Sequence, residues 1–174
     1  MTPHSSSRNY RKTAIILFIL VLIVSGGLIW KTSGGLTAPK QPIEFRHDVH
    51  ARDNGIPCLY CHAYARLSTV AGVPSVRKCM VCHLFYAGEH EGVKALKEYW
   101  EKGQAIEWIR VYFLPDFVYF SHKRHVRGGV QCQECHGPVQ DMEVLTRSIS
   151  LEMGWCLDCH RARKASVDCL TCHQ

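Results

Sequence analysis

The ten cysteines of this 174-residue chain fall into five Cys-x-x-Cys pairs, and a histidine follows each pair directly. The five motifs are Cys58/Cys61/His62, Cys79/Cys82/His83, Cys132/Cys135/His136, Cys156/Cys159/His160 and Cys169/Cys172/His173. With this spacing, two thiols can bond the vinyl groups of one haem while the adjacent imidazole binds its iron. The sequence therefore predicts five covalently bound c-type haems, with the five histidines as proximal iron ligands.

Zinc binding is the main alternative for these cysteines. The run Cys58-x2-Cys61-x17-Cys79-x2-Cys82 fits a four-cysteine zinc ribbon by spacing alone. Five pairs do not divide into whole four-cysteine sites, however, and zinc gives no reason for a histidine after every pair. Redox-active thiol pairs are a weaker alternative, because a chain this short cannot build five separate folds around them. Haem attachment accounts for all five motifs.

Six histidines lie outside these motifs: His4, His47, His50, His90, His122 and His125. Two pairs of them, His47/His50 and His122/His125, belong to two copies of a pattern Phe-x-His-x-x-His that precedes a Cys-x-x-Cys-His motif. Residues three apart can leave one face of a helix, so each pair is predicted to supply distal ligands to two haems.

The fifth distal ligand remains open between His90, in a polar stretch, and Met153, shortly before Cys156. A thioether ligand would raise the potential of one haem above that of its neighbours. For Met153, ordinary packing against a haem fits the spacing equally well. His4 is excluded by the topology predicted next.

An uncharged segment, Thr13 to Trp30, is long enough to cross a membrane as a helix, and Arg8, Arg11 and Lys12 precede it. The positive-inside rule then predicts a cytoplasmic tail at 1–12, a transmembrane anchor at 13–31, a linker at 32–42 and a periplasmic domain at 43–174. A cleaved signal peptide is the alternative, although its apolar region is normally shorter. Both interpretations export the remainder of the chain from the cytoplasm, and the first makes it a single-pass protein of the inner membrane.

The exported part is predicted to contain two related modules, 43–83 and 118–173, joined by a connecting segment at 84–117. In that segment, Glu89 to Gly103 has the pattern of an amphipathic helix with Val93, Leu96 and Trp100 on one face. Strand signals are weak. With roughly 26 residues per haem, the macrocycles themselves must form the core. The predicted fold is mainly α with much irregular loop.

The formal net charge of +6 does not indicate nucleic-acid binding. Five haems would bring about ten propionate charges, so the basic excess is interpreted as internal compensation. No run of lysine and arginine with interleaved aromatic residues supports a nucleic-acid surface.

The repeated Phe-x-His-x-x-His and Cys-x-x-Cys-His arrangement resembles class III multihaem cytochromes c. Several stretches resemble more specifically the pentahaem cytochrome c subunit of bacterial alternative complex III, a quinol oxidoreductase. These stretches are His47–His62, Ala71–Pro74 with Cys79–His83, Ile106–Asp116 leading into Val118–His122, and Met153–His160. The resemblance covers most of Pro42 to His173, and the last two stretches are its most specific parts.

This resemblance implies a periplasm-facing component of a respiratory quinol-oxidising complex. Its partners would be an iron–sulfur/molybdopterin-like subunit together with polytopic quinone-site subunits, and its acceptor a monohaem cytochrome or a small soluble carrier. The resemblance also favours Met153 as the fifth distal ligand. Tyr112 and Phe117 stand where many relatives carry histidine, so the family's ligand assignment does not extend to those positions.

Three other functions share some of these sequence features. A self-contained membrane quinol dehydrogenase that feeds a periplasmic reductase also has one helix followed by haems. Catalysis at haem requires an open iron position, whereas this chain offers one candidate distal ligand per haem, and no catalytic residue is predicted. A redox sensor would need an output domain, for which no sequence is left. Electron transfer is therefore the predicted role.

Overall fold

The computed structural model describes residues 6–32, 38–86 and 88–173. His4 with the rest of residues 1–5 of the predicted tail, and residues 33–37 of the predicted linker, lie outside the described residues. The chain divides into two compact units, Met1–Thr37 and Ala38–Gln174. We describe each unit by itself.

The first unit is a single long helix, α1, at Ser6–Thr32. Its segment Tyr10–Gly27 is long and apolar enough to cross a membrane, and its side chains are not buried by other parts of the protein. The helix predicted over Thr13 to Trp30 is therefore present. Length and composition alone do not distinguish an anchor from a signal sequence, because both place an apolar helix near the amino terminus.

The second unit is built from short helices joined by long irregular segments. The α-helices are α2 (Cys58–Cys61), α3 (Val76–His83), α4 (Glu91–Glu101), α5 (His122–Arg127), α6 (Cys132–His136), α7 (Met153–Ala162) and α8 (Cys169–Cys172). A π-helical turn lies at Asp48–Asp53, and 3-10 turns lie at Ala63–Arg66 and Val139–Asp141. The described part of the chain contains no β-strand. The prediction of a mainly helical, loop-rich fold is confirmed.

The helix predicted over Glu89 to Gly103 is confirmed as α4, two residues shorter at each end. It begins at Glu91 because the His90 side chain caps it, accepting a hydrogen bond from the backbone N–H of Gly92. Beyond its last turn the chain passes through Gly103 at φ +62°, a left-handed conformation that glycine adopts without strain. Val93 and Leu96 are buried as predicted, whereas Trp100 remains 42% exposed.

A small apolar core lies between α3 and α4. It consists of Ile43, Val76, Met80, Leu96 and Ile106, with Tyr99 and Trp108 packed against it. Elsewhere in the described residues, large apolar side chains such as Tyr64, Leu67 and Leu170 remain exposed near the cysteine motifs. The polypeptide therefore does not enclose a protein core around these motifs, and a bound macrocycle would cover this apolar surface.

Candidate haem-binding sites

Each Cys-x-x-Cys-His motif lies on, or directly at the end of, a short helix. We number the sites by their motifs in chain order: site I (α2), II (α3), III (α6), IV (α7) and V (α8). In a helical turn, residues three apart are neighbours on one face, so the two cysteines of each motif point the same way. The histidine that follows leaves the end of that turn, beside the two sulfur atoms.

The ten cysteines predicted to attach haem differ in exposure. Three of them are exposed, namely Cys58, Cys82 and Cys169, and the other seven are half-buried: Cys61, Cys79, Cys132, Cys135, Cys156, Cys159 and Cys172. None forms a disulfide bond. The thiols therefore remain available for bonds to another group.

Cys159 of site IV has neighbours from site III. The sequence motif alone does not predict these neighbours. Burial raises the pKa of the Cys135 thiol of site III, and the nearby Cys159 raises it further. Hydrogen bonding to Glu134 raises the pKa of Arg163, and a hydrogen bond to Cys159 adds to this effect. Arg163, which follows the end of α7, therefore contacts both Cys159 of site IV and Glu134 of α6, the helix that bears site III.

The two Phe-x-His-x-x-His copies have nearly the same geometry. In the first, the Phe45 ring stacks on His50 at 4.4 Å between centroids and meets His47 edge-on at 4.8 Å. In the second, Phe120 stacks on His125 at 4.4 Å and meets His122 edge-on at 4.8 Å. A phenylalanine ring thus separates two imidazoles and fixes their directions. The repeated phenylalanine is evident in the sequence, but its spacing does not predict that the ring orients two histidines.

Three of these four histidines face a motif histidine at nearly the same distance. The ring centroids are 6.0 Å apart for His50 and His83, 6.2 Å for His122 and His136, and 6.0 Å for His125 and His160.

This separation matches two imidazoles bound to one metal ion. Metal–imidazole bonds of about 2.0–2.1 Å, together with about 1.1 Å from each nitrogen to its ring centre, place the two centroids about 6 Å apart. The three pairs therefore have the spacing that an iron held by two axial histidines requires.

His47 is the fourth predicted distal ligand, and it lies beside the motif histidine of site I. Burial lowers the pKa of His47 to about 4, and the neighbouring His62 lowers it further in the same direction. Burial likewise lowers the pKa of His136 to about 4, with His122 as the next cause. Both imidazoles are consequently neutral at pH 7, which is the protonation state that binds a metal ion.

Backbone carbonyls orient most of these rings through the Nδ1 atom. The Nδ1–H of His62 donates to Gly72 O at 2.7 Å, that of His122 to Thr69 O at 2.9 Å, and that of His160 to Ser166 O at 2.6 Å. In the two repeated segments, His50 and His125 donate to the carbonyl four residues earlier, at 2.7 and 2.8 Å. A hydrogen bond at Nδ1 fixes the tautomer and leaves Nε2 free for a metal.

Two ring nitrogens in this set are buried without a hydrogen-bond partner: Nδ1 of His47 and Nδ1 of His83. Buried polar atoms in proteins are almost always satisfied, so these two Nδ1 atoms need a further group or a water molecule as partner. That partner is not the iron, which the Nε2 atoms would bind. The spacing of the three facing pairs, together with the neutral imidazoles of His47 and His136, fits iron-centred cofactors.

Site V differs from the other four because the four candidate distal histidines already lie beside His62, His83, His136 and His160. The Nδ1–H of His173 donates to Phe117 O at 3.2 Å, and the Phe117 ring packs 5.8 Å away. Met153 is the first residue of α7 and is 65% exposed. Its thioether is thus not committed to the protein core.

His90, the other candidate for the fifth distal ligand, is occupied elsewhere. Its Nδ1 accepts the N–H of Gly92 at 3.2 Å, and its Nε2 lies 3.7 Å from a carboxylate oxygen of Glu44. Tyr112 packs edge-on against His136 at 4.6 Å, and its hydroxyl contacts the carbonyl oxygens of His136 and Thr146 as a donor. Tyr112 therefore positions the segment that bears a motif histidine.

The cysteine residues were also compared with the arrangement that a zinc ribbon requires. Within the described residues, no three histidine, cysteine, aspartate or glutamate side chains converge as a metal site requires. All ten cysteines fall in this part of the chain. A four-cysteine zinc site would need four of these sulfur atoms around one ion.

Comparison with known proteins agrees with this geometry. Residues 118–174, which hold α5 and sites III, IV and V, match the model of a family described as cytochrome c7 and related cytochrome c. The helical, loop-rich fold and this match define a multihaem cytochrome c domain in the carboxy-terminal third of the chain.

The sequence of one relative is similar to a longer part of the chain than the family model is. Over 98 residues the chain is 37% identical to a protein of Nitratidesulfovibrio vulgaris (strain Hildenborough) named menaquinone reductase, multiheme cytochrome c subunit. The match covers 56% of this chain and 46% of the relative, so the chain spans about half the length of that protein. Over just over half of its length, the chain is therefore related in sequence to a multihaem cytochrome c subunit.

Proposed function

We propose that the chain binds five haems c, one at each Cys-x-x-Cys-His motif, and serves as an electron-transfer subunit. The observation that carries this proposal is the facing of proximal and distal histidines at about 6 Å. The proposed axial pairs are His62/His47, His83/His50, His136/His122, His160/His125 and His173/Met153.

Met153 is assigned to site V by the placement of the other ligands. Four distal histidines are used at sites I to IV, and His90 is held by the cap of α4. Burial raises the pKa of the Cys156 thiol, and the nearby Cys172 thiol raises it further, so sites IV and V are neighbours. Met153 lies one helical turn before Cys156, close to the site that lacks a distal histidine.

When bound, each haem supplies one-electron exchange between ferric and ferrous iron. The protein's own residues do three things for that chemistry. Burial keeps His47 and His136 neutral, backbone carbonyls together with Phe45 and Phe120 direct the imidazole rings, and each proposed pair would supply both protein ligands of one iron. Two axial protein ligands leave no open coordination position, so we assign no catalytic residue to this chain.

The complex in which this chain works is proposed to be a membrane quinone oxidoreductase. α1 would anchor the chain in the inner membrane, with the haem domain on the periplasmic side. The resemblance to alternative complex III favours a quinol-oxidising, respiratory complex with an iron–sulfur/molybdopterin-like subunit together with polytopic subunits. Electrons would leave for a monohaem cytochrome or a small soluble carrier.

A second candidate is supported by the relative from Nitratidesulfovibrio vulgaris, whose name describes menaquinone reduction. In that case electrons would run in the opposite direction, from a periplasmic donor through this chain into the quinone pool. A self-contained quinol dehydrogenase that feeds a periplasmic reductase is the remaining alternative. The direction of electron transfer distinguishes the quinol-oxidising complex from the menaquinone-reducing one. The partner proteins distinguish the self-contained dehydrogenase from both.

The test is purification of the native protein from membranes in mild detergent, with mass spectrometry of everything that accompanies it. Recovery with an iron–sulfur/molybdopterin-like subunit together with polytopic subunits is the expected result. The same preparation, assayed with menaquinol plus a cytochrome and then with menaquinone plus a reduced carrier, reports the direction. Recovery alone or with a single periplasmic reductase would overturn the complex and favour the self-contained dehydrogenase.

A further inference from the structure

The order of the five sites in space differs from their order in the sequence. Sites I and II are joined by the π-helical turn, since His50 faces His83 of site II at 6.0 Å while the His50 carbonyl accepts the N–H of Ile56, two residues before Cys58 of site I, at 3.0 Å. Their helices are also in contact, because the Lys78 ammonium, beside Cys79, lies 3.5 Å from the centre of the Tyr60 ring, beside Cys61. Site II is therefore next to site I.

Site I is also next to site III, through the loop at 68–72. Gly72 O accepts the Nδ1–H of His62 at 2.7 Å, while Thr69 O accepts both the backbone N–H of His122 at 3.1 Å and its Nδ1–H at 2.9 Å. One loop of five residues thus orients the proximal ligand of site I and the distal ligand of site III. Ser68 O adds a hydrogen bond from the Lys123 backbone at 3.0 Å.

Side chains of sites I and III lie close together on the cysteine side as well. Burial raises the pKa of the Cys132 thiol, and the adjacent Cys58 thiol raises it further by its charge and by a hydrogen bond. His62 is likewise among the groups that lower the pKa of His136, after burial and His122. The two sites therefore adjoin along both their ligands and their cysteines.

Sites III and IV follow one another in the order of the chain. His122 and His125 of α5 face sites III and IV respectively, so α5 lies against both. The Cys135 thiol of site III lies near Cys159 of site IV, and Arg163 after α7 pairs with Glu134 of α6 at 2.6 Å. Both the ligands and the cysteines of these two sites are thus adjacent.

Sites IV and V also adjoin, through the segment between α7 and α8. The Ser166 carbonyl accepts the Nδ1–H of His160 at 2.6 Å, and the Ser166 hydroxyl lies 2.9 Å from the Thr171 hydroxyl. The backbone N–H of Tyr119 donates to Cys172 O of site V at 2.8 Å, directly before Phe120, whose ring stacks on His125 of site IV. Site V is therefore next to site IV.

We propose that the five sites form a single row in the order II, I, III, IV, V. The row rests on the proposed function, because it presumes a haem at every motif. Its ends are site II and site V, and site I is internal although its motif comes first in the sequence. Electrons that pass along the whole row would enter and leave at Cys79/Cys82/His83 and Cys169/Cys172/His173.

The alternative is a row that follows the sequence, with site II between sites I and III. The two orders differ in which haems touch. NMR spectroscopy of the full-length, fully reduced protein in detergent can detect this, because nuclear Overhauser cross-peaks join protons of adjacent haems. Each haem is assigned through cross-peaks to its own cysteines and histidine.

The expected spectrum has cross-peaks from haem I to both haem II and haem III, and from haem II to haem I alone. Cross-peaks between haems II and III, with none between I and III, would overturn the row. The intact mass of the same sample counts the haems. A missing haem would overturn the proposed cofactor content and the row with it, whereas five haems with the wrong cross-peaks would overturn the row alone.

A second measurement uses electrostatic coupling between neighbours. Substituting His50→Met changes the ligand of site II, an end of the row, and His125→Met changes that of site IV, an internal site. In redox titrations followed by NMR, His50→Met is expected to shift the potential of haem I but not of haem III, and His125→Met to shift haems III and V. A shift of haem III by His50→Met as large as that of haem I would contradict the row.

Discussion

At the scale of single residues, the candidate sites depend on pairs of histidines that face each other. Outside the Cys-x-x-Cys-His motifs, no residue type marks a haem ligand by itself. The distal histidines could be predicted only because the Phe-x-His-x-x-His pattern occurs twice. The structure places His50, His122 and His125 at about 6 Å from a motif histidine. The phenylalanine that precedes each pair holds both rings and explains why the whole pattern is repeated.

The distal role of His122 can be tested by replacing it with methionine. His122→Met is expected to raise the potential of one haem by on the order of 100 mV, because a thioether stabilises ferrous iron relative to an imidazole. Redox titration of the purified protein measures this shift. The matched control is His90→Ala, which removes the α4 cap and should cost about 1 kcal/mol of stability without moving any potential. A selective shift in the control would make His90 a ligand.

The assignment of Met153 predicts the opposite change. Met153→His should lower the potential of a single haem by on the order of 100 mV, because imidazole replaces the thioether. The control is Met142→His, because Met142 is a half-buried methionine outside the proposed ligand set, and its carbonyl accepts the backbone N–H of Asp48. An unchanged titration for Met153→His would remove Met153 from the ligand set.

The sequence could not predict the groups that orient the histidines. Four of the acceptors are carbonyls of Gly72, Thr69, Ser166 and Phe117, which lie six to 56 residues away along the chain. Every residue has a carbonyl, so no residue type marks this function. The carbonyls that accept from His50 and His125 lie four residues earlier, as in a helix. The sequence pattern could therefore have predicted these two hydrogen bonds.

At the scale of elements, the loop at 68–72 connects two sites. Gly72 has φ +72°, and a Cβ there would meet the Tyr64 ring at 3.2 Å. Gly72→Ala therefore should strain the loop, displace the carbonyl that holds His62, and alter the EPR signal of one or two ferric haems. The expected loss of stability is about 1 kcal/mol.

Gly103→Ala is the control for this substitution. Gly103 has φ +62° and nothing within 4 Å of a Cβ, so it carries a similar backbone strain away from the haem sites. The EPR signals should be unchanged in this variant. If both substitutions left the haem signals intact, the loop would have no part in orienting His62.

The α3–α4 core is stabilised by contacts between apolar protein side chains. Leu96 is 4% exposed within it, and Leu96→Ala is expected to lower the free energy of unfolding by about 2–5 kcal/mol. Chemical denaturation with the haems attached measures this loss. Glu98→Ala on the same helix removes an exposed ion pair to Lys102 and should cost no more than about 0.5 kcal/mol. Equal losses would contradict the core described here.

The elements differ in how far the sequence predicts them. α1 and α4 were found because hydrophobic length and helical periodicity need no partner to be recognised. The π-helical turn at Asp48–Asp53 was not found. It follows His47 and contains the buried Asp48, whose carboxylate pairs with Arg46 at 2.6 Å and with Arg52 at 3.5 Å. Such a turn depends on tertiary contacts, which a local pattern does not contain.

At the scale of the whole molecule, the second unit has few buried side chains for its length. Seven apolar residues are buried in the described part of the chain, and five of them belong to the α3–α4 core. The remaining sites expose aromatic and aliphatic side chains beside their cysteines. This arrangement supports the prediction that macrocycles take the place of a protein core.

The basic character of the chain is best understood at the same scale. Arg66 and Arg127 line, with Leu67 and Val126, a cavity of about 410 Å³ between the first 3-10 turn and α5. Guanidinium groups bind carboxylates through paired hydrogen bonds. The net charge of +6 on the polypeptide is in keeping with basic side chains that compensate haem propionates.

The central claim is that one chain carries five covalently attached haems, and intact mass spectrometry of the denatured protein tests it most directly. Thioether bonds survive denaturation, whereas a metal ion or a non-covalently bound cofactor is lost. The expected mass is that of the polypeptide plus five haems. A mass equal to the polypeptide alone, or to the polypeptide with fewer than five haems, would contradict the account.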